Sequence, residues 1–390
     1  MNPPSFMLIT GEVSGDMHAA ALVRAIKRRL PGAAFFGIGG DHMRAEGVET
    51  LQESDEMAVT GFWEAIRRFA FFKRVFFRML DEVRARKPTA VILVDYPGFN
   101  LRFAARAHAL GIPVIYYICP QVWAWNRKRI PRMARVVDRL ITIFPFEAEH
   151  FAGTGLRVDF AGHPLVDEAQ RLHARPEEAL PWPAPRRVAI LPGSRDHEID
   201  RILPPLWKAA ARLEARLPEV GFLLAAPSPR VARMVRDRLA RLPGKAPARW
   251  ELVTGRTREV LRQARAAFVA SGTATLEASL MRCPMVIAYR VAPITSLVAH
   301  MVIRLSHVGM VNIVAGREVC PELLQDQCTP RNLCRAIEPL VVDSERRDRM
   351  LSDLDAVNHA LGEGGAEDKA ARAVLDELGL DNAPPPQQTG

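Results

Sequence analysis

The chain has 390 residues, 48% of them hydrophobic and 25% charged, a balance that excludes disorder as the default and, at this length, predicts two domains rather than one core. Its 53 Lys and Arg exceed its 44 Asp and Glu for a net charge of +9, which suits an anionic partner: nucleic acid, anionic lipid or a phosphorylated substrate. The cysteines Cys119, Cys283, Cys320, Cys328 and Cys334 form no C-x-x-C pair, which argues against a disulfide framework, a thiolate zinc site and an oxidising compartment.

The N-terminal MNPPSFMLITGEVSGD has no basic segment ahead of its short apolar run, and no stretch approaches about 18 unbroken apolar residues, so neither export nor a membrane span is expected. Apolar runs at Phe6–Thr10, Ala34–Ile38, Ala90–Val94, Val114–Ile118 and Leu140–Phe144 alternate with helical patterns, the signature of β-α-β units on a parallel sheet. A Pro-rich break, PWPAP at Pro181–Pro185, interrupts the alternation, which resumes at Val188–Leu191, Gly221–Ala225, Ala266–Ala270 and Met285–Tyr289. An α/β fold of two doubly wound domains is predicted, covering residues 1–170 and 186–344, with a linker near 165–186. The tail 381–390, DNAPPPQQTG, is expected to be disordered.

Ligands of open α/β sheets bind beyond the carboxyl ends of the strands, so chemistry is sought in the loops that follow these runs. The first loop, Gly11–Asp16, is either a tight turn or a set of backbone N–H groups for an anion; its spacing is not the dinucleotide fingerprint G-x-G-x-x-G. The segment Phe62–Lys87 holds six of the 17 Phe, with Trp63, and eight basic against three acidic residues. At helical spacing Phe62, Ile66, Phe69, Phe72, Phe76 and Leu80 form one stripe, leaving Phe71 and Phe77 outside it. Extra aromatics among basic residues point to a membrane interface or to acyl chains. Asp95 ends the strand Ala90–Val94, where it is either a proton acceptor for an attacking hydroxyl or an N-cap for a helix beginning near Asn100. Trp125–Arg132, WNRKRIPR, reads as a phosphate or headgroup site or as solvated charge.

In the second half, Val188–Leu191 runs into Pro192-Gly193-Ser194-Arg195. Glycine permits close backbone approach and Arg195 offers a planar fork of donors to a diphosphate, the alternative being a plain loop arginine. Ala266–Ala270 runs into Ser271-Gly272-Thr273-Ala274-Thr275-Leu276-Glu277, where a diphosphate fits the turn and Glu277 can accept from two ribose hydroxyls; a capped helix with a solvated glutamate is the alternative. Two such turns in one domain point to a nucleotide-diphosphate site. The D-x-D at Asp353–Asp355 falls in a predicted helix far from these loops, and no metal motif occurs, so no metal is predicted.

The strings GEVSGD, VDYPGFN, CPQVWAWNRKRI, FPFE, GHP, LPGSR, SGTATLE and VNIVAGREVCPELLQ, in this order, resemble the motif series of the lipid-A-disaccharide synthase family. The resemblance implies a GT-B fold, two Rossmann-like domains facing across a cleft, with final helices at about 345–380 crossing back to the first domain. It implies an inverting transfer of 2,3-diacylglucosamine from UDP to the 6-hydroxyl of 2,3-diacylglucosamine 1-phosphate, without a cofactor. It makes Asp95 the general base and Arg195 essential, gives Ser271, Gly272, Thr273 and Glu277 to UDP beside the Gly193 and Ser194 already read as a diphosphate turn, and places Asn312, Gly316, Arg317 and Glu318 near the donor. Some members carry a second carboxylate where this chain has Gly98, so Asp95 stands alone in that loop and no carboxylate dyad is expected. Phe62, Trp63, Ile66, Phe69, Phe72 and Phe76 would meet acyl chains or an anionic membrane, implying peripheral attachment to the cytoplasmic face of the inner membrane and no nucleic acid partner. Two other readings remain open: a UDP-sugar 2-epimerase, and a noncatalytic basic protein.

Overall fold

The computed structural model describes residues 3–57, 67–125, 127–291 and 306–380. These fall into two units, one of residues up to Pro164 joined by those from Glu363 onward, the other Leu165–Gly362. The first unit holds β1 (Ser5–Ile9), β2 (Ala34–Gly39), β3 (Glu49–Glu53), β4 (Ala90–Val94), β5 (Val114–Tyr117), β6 (Arg139–Thr142) and β7 (Arg157–Phe160), in the order β3-β2-β1-β4-β5-β6-β7. The second holds β8 (Arg186–Leu191), β9 (Val220–Ala226), β10 (Trp250–Thr254), β11 (Ala266–Ala270), β12 (Met285–Tyr289) and β13 (Glu322–Leu324), ordered β10-β9-β8-β11-β12-β13. Every pairing is parallel, and inner strands such as β4 (AVILV) and β11 (AAFVA) are buried along their whole length because helices cover both faces.

This order fixes where ligands can go. In the first sheet the winding reverses between β1 and β4, and in the second between β8 and β11. At such a switch point the chain leaves the two strands toward opposite faces, and the loops open a crevice at the carboxyl end. The loops there are Thr10–Glu12 with Asp95–Tyr96, and Pro192–Arg195 with Ser271–Thr273.

Three expectations change. The segment 165–186 is not a free linker. The helix Pro164–His173 and the stretch after it are strapped to the second unit: Arg262 donates to the carbonyls of Leu172 (2.8 Å) and Arg175 (2.9 Å), and Trp182 Nε1 donates to Gln263 (3.0 Å). The return to the first unit starts at 363 rather than 345. The helix Glu345–Ala360 buries Met350, Leu354 and Val357 within the second unit, where Asn358 exchanges two 2.8 Å hydrogen bonds with Ser279. The helix Ala366–Glu377 belongs to the first unit, packed on the helix Val13–Arg29 and held by Arg139, which bridges Asp159 and Asp376 at 2.6 Å each.

The aromatic helix spans Phe69–Arg86 among the described residues; Phe62, Trp63 and Ile66 lie outside them. Its buried centre is Val75, Met79, Leu80 and Val83. Phe72 and Phe76 flank that stripe and pack on the core, Phe76 meeting Phe99 and Phe103 edge-on at 5.4 and 5.5 Å. Phe69, expected in the stripe, faces outward with Phe77, at 67% and 48% exposure. These two lie on a face with Lys73, while Arg74 and Arg78 are also exposed.

Candidate active site

At the first switch point Asp95 and Tyr96 both take left-handed backbone, φ 46° and 51°, a conformation that costs free energy in residues with a side chain and persists only where the surroundings dictate it. Here they do. The Asp95 carbonyl accepts from the Tyr116 hydroxyl (2.5 Å) and from Asn100 Nδ2 (2.8 Å), and the Tyr96 hydroxyl donates to the carbonyl of Met57 (2.9 Å). The Tyr96 ring lies on Gly11, so close that a Cβ there would stand 2.2 Å from it. Gly11 therefore serves packing: it lets the Asp95 loop seat on the first loop. Asp16, at the other end of GEVSGD, is buried and accepts from the N–H groups of Gly40 (2.6 Å), His42 (3.0 Å) and Met43 (3.2 Å), starting the helix Asp41–Ala45. The first loop is thus a structural clamp.

The helix after β4 begins at Pro97 with no side-chain cap, which removes the N-cap reading of Asp95. Its carboxylate reaches solvent at the rim, yet dense surrounding protein raises its pKa to about 6; Glu12 raises it further, and the Tyr96 N–H works against both. Asp95 stands without a second acid in its own loop, as expected, but the fold brings Glu12 to it from the loop after β1. A third carboxylate lies nearby. Glu147, of FPFE, is 1% exposed and accepts from Trp123 Nε1 (3.1 Å) and the N–H groups of Phe144 (3.1 Å) and Ile143 (3.3 Å). Burial lifts it to about 7, those hydrogen bonds pull it down, and Asp95 adds to the rise. CPQVWAW and FPFE are therefore one device, Glu147 fixing Trp123 beside β5 and β6. Burial pushes the Cys119 thiol far up, so it is no nucleophile, and burial with help from His18 lowers His163 of GHP to about 3, leaving it neutral.

At the second switch point Gly193, Ser194, Arg195, Ser271, Gly272, Thr273 and Glu277 line one cavity of about 330 Å³, together with Glu198 and Thr257. Gly193 has φ +105°, and a Cβ there would come within 2.8 Å of Glu198 Oε2. Glu198 accepts from the N–H groups of Ser194 (3.2 Å) and Arg195 (3.3 Å), and pairs with the Arg195 guanidinium at 2.9 Å. The spacing Arg195-x-x-Glu198 is that of a capping box, a signal present in the sequence though not read from it. Glu277 is also engaged, by Arg258 Nε at 2.8 Å. Neither Glu12, Glu147, Glu198 nor Arg258 was singled out by sequence.

The comparisons with known proteins bear on both switch points. The family model for lipid-A-disaccharide synthetase matches residues 6–374. A lipid-A-disaccharide synthase of Anaeromyxobacter sp. (strain K) is 42% identical over 378 residues, 95% of this chain and 96% of that protein. The chain belongs to this family. Among solved structures, a putative UDP-N-acetylglucosamine 2-epimerase from Listeria monocytogenes superposes with a TM-score of 0.66 at 13% identity, covering 96% of each chain. CalG4, the calicheamicin glycosyltransferase, superposes with a TM-score of 0.60 at 16% identity, covering 98% of this chain and all of that one. These likenesses give the fold, GT-B, which epimerases and glycosyltransferases share; the family decides between them. This member is a glycosyltransferase of lipid A biosynthesis.

Family resemblance had also placed Asn312, Gly316, Arg317 and Glu318 near the donor. None of them lines the cavity. Asn312 is fully buried, and its amide is spent inside the protein: Nδ2 donates to Cys320 O and Glu322 Oε1, and Oδ1 accepts from Val319 N and Cys320 N, at 2.8 to 2.9 Å. Gly316 ends the helix Met310–Ala315 in left-handed backbone, the exposed Arg317 pairs with Asp353, and Glu318 is exposed. Their link to the site is indirect. Glu322, held by Asn312, accepts from the N–H groups of Val308 and Gly309 at 2.8 Å, and the Val308 carbonyl accepts from Ser271 Oγ at 3.0 Å.

Proposed function

We propose that this enzyme transfers 2,3-diacylglucosamine from UDP-2,3-diacylglucosamine to the 6-hydroxyl of 2,3-diacylglucosamine 1-phosphate, inverting the anomeric centre, to give the β(1→6) disaccharide 1-phosphate and UDP. The observation that carries this reading is the cavity at the second switch point, where LPGSR and SGTATLE converge from separate strands on a volume within the usual range for a small-molecule site. UDP occupies it, with Gly193, Ser194, Ser271, Gly272 and Thr273 around the diphosphate. Asp95 takes the proton of the acceptor hydroxyl as the O6–C1 bond forms. The C1–O bond to the β-phosphate breaks, its electron pair leaves with UDP, and Arg195 stabilises the charge that develops there.

No metal or other cofactor enters this scheme. Positive charge for the leaving group comes from Arg195, and the D-x-D carboxylates are committed elsewhere, Asp353 to Arg317 and Asp355 to Arg282. Among the described residues no helix is long and apolar enough to cross a membrane. Contact with acyl chains and with the anionic cytoplasmic face of the inner membrane is supported by exposed apolar side chains beside basic ones: Phe69 and Phe77 with Lys73, Arg74 and Arg78, and, next to Glu12, Val13 and Met17 at 56% and 38% exposure. Nucleic acid has no place in this reading.

The test is to incubate the purified protein with both lipid substrates in detergent plus a chelator and to follow disaccharide and UDP by mass spectrometry. Both products are expected. Epimerisation of UDP-N-acetylglucosamine with no disaccharide would replace this reading with that of the structural neighbours, and a requirement for added metal would remove the metal-independent step.

A further inference from the structure

Arg258 follows Thr257, a lining residue of the cavity, in the short helix Thr257–Gln263. Its Nε donates to Glu277 Oε1 at 2.8 Å, and its Nη1 pairs with Glu168 of the helix Pro164–His173. All three side chains are largely covered, 32% exposed for Arg258, 19% for Glu277 and 20% for Glu168. Burial disfavours the guanidinium charge, and the two carboxylates more than offset it, holding its pKa above the usual range. Arg258 is thus clamped from one side by Glu168 and itself clamps Glu277 from the other.

The chemistry of the cavity says what Glu277 faces. A carboxylate repels a diphosphate, so the phosphates belong with Arg195 and the glycine-bearing loops, and Glu277 is left to meet neutral donors of the same ligand. In a nucleoside diphosphate those are the vicinal hydroxyls of the ribose. A free glutamate rotates about its terminal bond and presents its oxygens in any plane, whereas one oxygen held by a fixed guanidinium leaves the other in a set direction.

We propose that Arg258 is a positioning residue that aims Glu277 at the ribose hydroxyls of the bound nucleotide and so sets the preference for ribo- over deoxyribonucleotides. This rests on the reading of the cavity as a UDP site. The experiment is calorimetric titration of the full chain with UDP and with 2′-deoxy-UDP, in wild type, Arg258→Ala, Arg258→Lys and Glu168→Gln. Wild type should prefer UDP by roughly 10-fold or more, the size of a hydrogen bond to a charged acceptor. Arg258→Ala should weaken UDP roughly 10-fold or more, weaken 2′-deoxy-UDP less because it offers Glu277 only the 3′-hydroxyl, and collapse the ratio toward one. Arg258→Lys, which keeps one ion pair without the fork, and Glu168→Gln, which loosens the guanidinium, should each give intermediate ratios.

Equal weakening of both ligands with the ratio preserved would show that Arg258 only supports the fold and would overturn the inference. If Arg258→Ala fails to fold, Arg258→Lys decides: a wild-type ratio in that variant also overturns it. Wild type binding both ligands alike sinks this inference while the cavity keeps UDP; wild type binding neither sinks the cavity reading itself, and this inference with it.

Discussion

The two switch points are built on the same strand order and carry opposite chemistry. At the first, the carboxylates sit in dense protein that disfavours their charge: Asp95 is raised to about 6, with Glu12 beside it, and Glu147 to about 7. At the second, each carboxylate that lines the cavity is matched to an arginine, Glu198 to Arg195 and Glu277 to Arg258. A doubly wound sheet supplies the crevice, and the rim residues decide whether it moves protons or holds anions. The largest test of that division is Asp95→Asn. Asparagine tolerates the left-handed backbone at this position, so the loop should keep its shape. Turnover should fall by roughly 10² to 10⁴ in the disaccharide assay, while UDP affinity by calorimetry stays within about 2-fold. Loss of UDP binding would erase the distinction between the two rims.

The converse comes next in size. Arg195→Ala should weaken UDP by roughly 10- to 100-fold, the range for a hydrogen bond to a charged partner, and leave the pH dependence of turnover in place. A displaced pH profile would mean that the second rim takes part in proton transfer. A smaller effect sharpens the same point. Glu198→Gln keeps an acceptor for the Ser194 and Arg195 N–H groups and removes a negative charge from beside the diphosphate, at the cost of one exposed ion pair. UDP should bind roughly 3-fold tighter; weaker binding would show that Glu198 matters chiefly by holding Arg195.

The inner strands β1, β2, β4, β5, β6, β8, β9, β11 and β12 were legible as apolar runs. The four that were not, β3 (ETLQE), β7 (RVDF), β10 (WELVT) and β13 (ELL), are the four sheet edges. An edge strand is half exposed, so its sequence carries no continuous run to read. The site divides the same way. Asp95, Arg195 and the turn Ser271–Thr273 follow strands directly and could be found from position alone, whereas Glu12, Glu147 and Arg258 matter through partners 83, 24 and 19 residues away in the chain, at Asp95, Trp123 and Glu277. Asn312 entered by motif resemblance, and its amide bonds within the protein, to Val319, Cys320 and Glu322, contacts that no pattern in the sequence announces.

The smallest predicted effect bears on the first rim alone. Asp95 must be ionised to accept a proton, so kcat/KM should rise with pH through about 6 and level off above it. The rise has two causes of unequal size, burial first and Glu12 second. Glu12→Gln removes only the second, so the midpoint should move down by less than one unit and activity at pH 5 should rise by roughly 2- to 4-fold. At pH 8, where Asp95 is ionised in either protein, the variant should be equal or slightly slower, because a weaker base takes the proton less readily. Stability gives an independent check of the sign. An acid whose folded pKa lies above its unfolded value favours folding below the unfolded value, and that contribution is lost as pH rises through the folded one. The melting temperature of Asp95→Asn relative to wild type should therefore be higher above pH 6 than below pH 4, with the change falling between. A midpoint unmoved in Glu12→Gln together with a flat stability difference in Asp95→Asn would mean that Asp95 is an ordinary solvated carboxylate, and the contrast between the two rims would rest on the arginines alone.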